Sequence, residues 1–467
     1  MNAPGRGGVA EPLTVTRLQE LIGAGEVETV LCVLPDLHGR LMGKRITADY
    51  FLEDTLAGGE GLHASIYLFV VDMDMEPLPG FDITSWETGY QDFRMVPDLT
   101  TLRLIPWQAK TAMVICDAFA EEGDEPVEVA PRQILRRQIE RARAAGYSFK
   151  FGSELEFFMF RDSYEQAWQR RYESLEPSAN YRADYHMLQT AKVEEIIGQI
   201  RAGMNGARVP VFASKGEWGL GQHEINLRYA DPLEMADRHA IYKNGAKEIA
   251  AQSGLSITFM AKWAIEEIGS SFHIHSSLWD AEGVTPLLWD AAAPHHLSQT
   301  ARHYLGGILA GAREMTYLFA PNVNSYKRFQ PASFAPTTIA WGHDNRTCGF
   351  RLVGERGSLR LENRIPGADA NPYLTFAATI ASALHGLEHG LEPPPICERN
   401  AYEAPETGLV PGTLLEAIEL FAASRLACDA FGESVVKHLV NVARQELEIF
   451  NHQTITDWER RRYFERA

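Results

Sequence analysis

Two carboxylates spaced one residue apart raise the first chemical question in this chain. In FKFGSELEFFMF (149–160), Glu154 and Glu156 sit inside an apolar run. Side chains alternate across a strand, so both point to one face. Adjacent like charges among phenylalanines are costly unless cations neutralise them. SSFHIHSSLWD (270–280) repeats the spacing with His273 and His275. GEWGLGQHEINLRY (216–229) adds Glu217 and Glu224 around a glycine-rich turn. SLRLENRIP (358–366) places Arg360, Glu362 and Arg364 on one strand face. Each segment alone has a bland reading: a solvated edge strand, packed histidines, an ordinary loop, a surface salt-bridge ladder. Together, the five glutamates and one or two histidines describe a rigid, oxygen-rich pocket. Such donors suit Mg²⁺ or Mn²⁺, whereas zinc sites favour Cys and His. Arg346 and Arg351 precede Arg360 and Arg364, and guanidinium forks match phosphate and carboxylate oxygens. No GxxxxGK[ST] occurs, so a nucleotide here is not held by a P-loop.

The elements that must position these residues follow from patterning. Residues 27–46 read as two apolar strands around a Gly-containing turn, and 101–118 as two more broken at a proline. EEGDEP (121–126) has linker character. A helix is predicted over 132–146, strands over 148–160 and 222–229, and a helix from Asp231-Pro232 to Gly254. Consecutive strands are expected at 256–263 and 270–279, and a helix from Asn371-Pro372 to about Gly390. A loop opens at PPP (393–395), and the remainder reads as helical. The expected fold class is α+β: a flexible tail over 1–13, a small N-terminal β domain over 14–120, and a large catalytic domain over 126–467.

The chain has 467 residues and is 45% hydrophobic, enough for a large core and two or more domains. A net charge of −18 leaves no cationic surplus to displace counterions from nucleic acid. Five scattered cysteines without a CxxC predict a reducing cytoplasm and no structural zinc. The start, MNAPGRGGVAEP, lacks the apolar stretch of a signal peptide, and no run of about 18 apolar residues predicts a membrane span.

An ordered set of motifs then resembles the glutamine synthetase superfamily over about residues 15–460. They are LPDLHGRLMGKR, DFRMVPDLTTLRLIPW, FGSELEFF, GQHEINLRY, GSSFHIHSSL, NSYKRF, NRTCGFRL and LENRIPGADANPYL. The resemblance implies a β-grasp-like N-terminal domain and a curved antiparallel sheet forming an active-site funnel. It implies Glu156, Glu217 and Glu224 at one metal, and Glu154, His273 and Glu362 at a second. His275, Ser277, Arg351 and Arg360 are expected near ATP. Arg328, Arg364 and the Gly269 backbone are expected around glutamate, and Arg346 at the transferring phosphoryl group. The implied reaction forms γ-glutamyl phosphate from glutamate and ATP, after which an amine displaces phosphate. A double ring of twelve copies, with sites between subunits, is implied on the same ground.

Three departures separate this chain from the ammonia users it resembles. Their loop after the arginine carries a glutamate in Gly-Tyr-Glu-Ala-Pro, where this chain reads Ala332-Ser333-Phe334-Ala335-Pro336. A phenyl ring cannot accept a proton or bind ammonium as a carboxylate does. The Asp-Gly-Ser-Ser pattern of the N-terminal region has no counterpart in HASIYLF (63–69), and Ile268 stands where Asn precedes the glycine. The tyrosine-bearing adenylylation loop has no clear match around 393–412. The chain therefore resembles the γ-glutamylpolyamine and γ-glutamylethanolamide synthetase branch, with Phe334 and Ser333 in the amine pocket. An alkylammonium must lose a proton before attack, and His63, Glu266 or Glu267 are the candidate bases. An ordinary glutamine synthetase and a noncatalytic scaffold are the rival expectations.

Overall fold

The computed structural model describes residues 11–58 and 61–467, so most of the expected tail lies outside the described residues. Apolar residues from Thr29 form β1 (Thr29–Pro35), buried along nearly its whole length. It pairs antiparallel with β2 (Leu41–Thr47) and parallel with β5 (Thr111–Ala120). Gly43 of β2 has no room for a side chain, since a Cβ there would lie 2.0 Å from Cys32 O. β3 (His63–Ser65) and β4 (Asp92–Leu104) complete a sheet of order β2-β1-β5-β4-β3. β4 begins well before the expected position and runs through Pro97, with a register shift between Asp98 and Arg103. Such an irregularity lets an otherwise paired strand accommodate a proline. Residues 121–126 form a tight turn, not a free linker: Ala120 N donates to Glu125 O and Phe119 bridges Pro126.

The second sheet is built on β6 (Tyr147–Phe160). On one side lie β10 (Phe272–Asp280), β13 (Arg360–Asn363), β12 (Phe350–Val353) and β11 (Trp341–His343). On the other lie β8 (Gln222–Leu227) and β7 (Val211–Gly216). β9 (Ser256–Thr258) is far shorter than its expected span, and it pairs with the end of β6, as β10 does with the rest. All pairings are antiparallel except β11 with β12.

Helices starting at Pro131, Pro232 and Pro372 cover one face of this sheet, each with proline in the first turn, where its missing N–H costs nothing. Alternation on β6 does the sorting. Phe151 turns to the helices and stacks on Phe376 at 4.4 Å, while Ser153 bonds His239 at 2.9 Å. The even-numbered residues of β6 face the other way.

Two polar devices join the first sheet to these helices. Arg132, only 2% exposed, bridges Asp98 of β4, Asp117 of β5 and Asp237 of the helix Pro232–Gln252 at 2.7, 2.7 and 3.0 Å. Asn371 caps the helix Pro372–His389 and donates to the carbonyls of Asp36 and Leu37 beyond β1. No helix among the described residues is long and apolar enough to cross a membrane.

Candidate active site

The open face of β6 and its neighbours carries the predicted carboxylates in cross-strand rows. Opposed residues of antiparallel strands share a face. One row reads Arg351, Glu362, His275 across β12, β13 and β10. The next reads His273, Glu154, Asn226 across β10, β6 and β8. A third reads Glu156, Glu224, Lys215 across β6, β8 and β7. Glu217 joins from the β7–β8 turn, which Gln222 O closes by accepting from Glu217 N at 2.9 Å. These rows line a cavity of about 860 Å³.

The carboxylates fall into two groups whose ligand atoms lie within 4.8 Å of one another: Glu156, Glu217 and Glu224, and Glu154, His275 and Glu362. His273, expected in the second group, is also there. Its Nδ1 lies 2.9 Å from Glu154 and 3.5 Å from Glu362, and its buried Nε2 has no partner. His275, expected at ATP, instead approaches Glu154 at 3.3 Å and accepts from Arg360 at its Nδ1.

The electrostatics of the two groups differ. In the second, burial pushes Glu362 up, but Arg364, His273 and His275 outweigh it and hold the carboxyl down at about 2. Glu154 is likewise held well below the usual range, its desolvation outweighed by both histidines. The first group has Lys215, which pairs with Glu217, and the field of Arg328 on Glu156. Burial, then Glu217, pushes Glu156 up to about 8. Burial, then Glu154 and Glu217, pushes Glu224 up to about 11. Three carboxylates that repel one another in a buried cradle fit a divalent cation, which removes the cost of ionising them.

Residues 128–463 match the family model described as glutamine synthetase, catalytic domain. The chain belongs to the glutamine synthetase family. It is a ligase with the mixed α+β fold of that family. It is 51% identical over 456 residues to gamma-glutamylethanolamide synthetase of Streptomyces coelicolor, covering 97% of this chain and 96% of that one. It is 38% identical over 454 residues to glutamate–isopropylamine ligase of a Pseudomonas species, covering 97% and 98%. The solved GmaS–ADP complex superposes with a TM-score of 0.82 at 28% identity, covering 96% of this chain and 99% of that one. Enzymes of the family use ATP and divalent metals.

The arginines of this glutamine synthetase site surround the carboxylate rows. Arg328 is 1% exposed and donates to Ile365 O, Arg364 O and Ser271 Oγ at 2.7–2.9 Å. Gly269 packs against it so closely that a Cβ would lie 2.5 Å from Arg328 Cγ. Arg364 donates to Glu362 at 2.6 Å and to Phe334 O at 3.3 Å. The buried Nε of Arg328 and of Arg364 has no partner, which fits an incoming carboxylate. Arg351, expected at ATP, bonds Glu362 and Asp344. Arg346, Ser277 and Arg360 line the cavity, with Ser277 Oγ accepting from Trp279.

The amine-pocket candidates divide. Ser333 and Phe334 line the cavity, and the Phe334 ring is open to it, the residue being 54% exposed. His63 does not line it in this chain; it lies on β3 of the other sheet, 2.9 Å from Glu121. Glu266 is exposed on the 259–268 loop, and Glu267 turns away to accept from Leu220 N. Both are corrections, because a loop offers no alternation from which to read direction. Sequence reasoning missed Gln222, which bonds Glu156 and Gly269 O, and Lys215, Asn226 and Asp184. The β7–β8 register would have exposed Lys215, opposite Glu224, and the β6–β8 register Asn226, opposite Glu154.

Proposed function

We propose that this enzyme joins the γ-carboxylate of L-glutamate to a small primary amine at the expense of ATP, with ethanolamine the first candidate. The observation that carries the reading is the loop Gln330–Pro336. It brings Phe334 to a cavity that Ile268 also lines, and it brings no carboxylate with it. An apolar wall accepts the carbon chain of an amine and offers nothing to bare ammonium. The names of the two relatives, which act on ethanolamine and isopropylamine, support the same class.

The geometry supports the following residue roles. Arg328 and Arg364 hold the glutamate carboxylate through their unpartnered Nε groups. Arg346 and Arg360 meet phosphate oxygens at the cavity wall. Glu156, Glu217 and Glu224, and Glu154, Glu362 and the two histidines, would hold Mg²⁺ or Mn²⁺, which would neutralise phosphate charge. The γ-carboxylate oxygen attacks the terminal phosphorus of ATP, and ADP leaves. The amine nitrogen then attacks the γ-carbonyl carbon, phosphate leaves, and the nitrogen loses a proton. Asp184 is the lining carboxylate outside the two metal groups, so we assign it as the proton acceptor.

A panel of ammonia, ethanolamine, isopropylamine and putrescine, read by ADP release with glutamate, tests the reading. Ammonia as the best nucleophile would sink it. Phe334→Glu is expected to shift preference toward ammonia, and Asp184→Asn to depress amine turnover while leaving ATP binding intact. All five cysteines are free, in keeping with a reducing cytoplasm. Assembly into two six-membered rings remains part of the proposal, checked by light scattering.

A further inference from the structure

A second cavity, of about 530 Å³, lies behind the turn that carries Arg328. Its walls are the β1–β2 turn, one face of the helix Pro232–Gln252, the end of β9 and the 322–327 turn. Four cations line it: Arg40, Lys243, Lys247 and Lys327. In a chain of net charge −18, such a concentration calls for a cause. Lys243 and Lys247 stand one helical turn apart, where like charges repel. Both ammonium groups face a single ring, Phe259, at 5.7 and 5.8 Å from its centroid. A ring face attracts a cation but supplies no counter-charge.

Acid partners are scarce. The lysine ion pairs among the described residues involve Lys110, Lys150, Lys215 and Lys437. Lys243 has a carbonyl instead, Ala368 O at 2.8 Å. Asp369 and Glu446 share the wall; Asp369 accepts from Asn322 and Ser325 through Oδ2, and its Oδ1 has no hydrogen-bond partner. Arg40 is tied to Asp36 at 2.6 Å, so two wall carboxylates face three lysines and the cations remain in excess. Burial and the neighbouring Lys247 push Lys243 down to about 7. Asn244 and Thr258 add neutral hydrogen-bonding groups to the same wall.

We propose that this cavity binds a small oxyanion, phosphate or a short dicarboxylate, through Lys243, Lys247 and Lys327. Ammonium groups on flexible stems converge on a compact anion without needing a fixed fork. The site is coupled to the active site through one turn. Lys327 faces this cavity and its neighbour Arg328 faces the other. Asn324 of the same turn is bonded both ways to the Lys262 backbone, at 2.9 and 2.8 Å. An occupied cavity therefore bears on the placement of Arg328.

Calorimetric titration of the full chain with inorganic phosphate and, separately, succinate tests this, at constant ionic strength with ADP and Mg²⁺ saturating the active site. A saturable site that ADP does not displace is expected, and the tighter arm identifies the oxyanion class. Lys247→Ser and Lys327→Gln should each weaken it about tenfold, with unchanged melting temperature showing that the fold is kept. Absence of ADP-insensitive binding, or wild-type affinity in both variants, overturns the proposal. So does a changed oligomer size in place of lost binding, which would make the lysines a contact between copies. The bound anion should also move the glutamate KM roughly threefold in wild type but not in Lys247→Ser. An unmoved KM refutes the coupling, while the titration alone decides the site.

Discussion

Removing one hydroxyl, in Tyr402→Phe, should loosen the loop that shapes the amine pocket. Ala332 and Phe334 both adopt left-handed backbone conformations, with φ of 58° and 62°. Each costs a non-glycine residue roughly 1–2 kcal/mol. The loop is kept there by few bonds. Ser333 Oγ donates to Gln330 O at 2.6 Å, Arg364 to Phe334 O at 3.3 Å, and Tyr402 Oη to Ala335 O at 2.9 Å. Ala335 is 3% exposed, so its carbonyl loses its partner with little access to water. An unsatisfied buried acceptor costs about 1–3 kcal/mol. That is comparable to the strain at one left-handed residue, so the pocket-forming conformer loses about 1–2 kcal/mol against its alternatives, or roughly 5- to 30-fold in the equilibrium constant that favours it, which bounds the loss of binding. Initial rates with varied amine, at saturating ATP and glutamate, should show the amine KM rising by about that factor. The ATP KM should stay within about twofold, because Arg360 and Ser277 lie on strands the loop does not touch. An unchanged amine KM, or an ATP KM that rises in step, would refute the reasoning.

Other outcomes follow from the same coordinates. Arg132→Ala leaves buried Asp237 without its guanidinium and Asp98 and Asp117 with Arg136 alone, so urea unfolding should show a loss of about 3–5 kcal/mol. His438 donates to Phe69 O at 2.7 Å, and burial pushes it down to about 4 from 6.5. The unfolded chain therefore binds a proton between pH 6.5 and 4 that the folded chain refuses. Stability contributed above pH 6.5 is lost as pH falls, by up to about 3 kcal/mol, and His438→Gln should flatten that part of the profile. Adding Mg²⁺ or Mn²⁺ should raise the melting temperature, by the equivalent of about 2.7 kcal/mol at a hundredfold excess over Kd. Because Glu156 and Glu224 are pushed above the usual carboxylate range, binding at neutral pH should also release protons, seen as a buffer-dependent calorimetric heat. A heat identical in all buffers would count against that cradle.

Alternation along the chain determined much of this site without any coordinates. Glu154 with Glu156, and His273 with His275, had to share faces because the strand period is two, and no loop intervenes to change it. The proline-started helices were legible for the same local reason, as was the chemical mismatch of Phe334 in its loop. Register was not legible. That Glu362 faces His275 and Glu154 faces His273 depends on hydrogen bonds between strands distant in sequence. Those pairings drew His275 to the carboxylates and Arg351 to Glu362. Loops escaped too: Glu266 and Glu267 carry the right chemistry, yet the path from β9 to β10 turns them away from the cavity. The lysine cavity lay wholly beyond reach of the sequence. Arg40, Lys243 and Lys327 are separated by long stretches of chain, and only packing the first sheet against the helix Pro232–Gln252 brings their charges to one place.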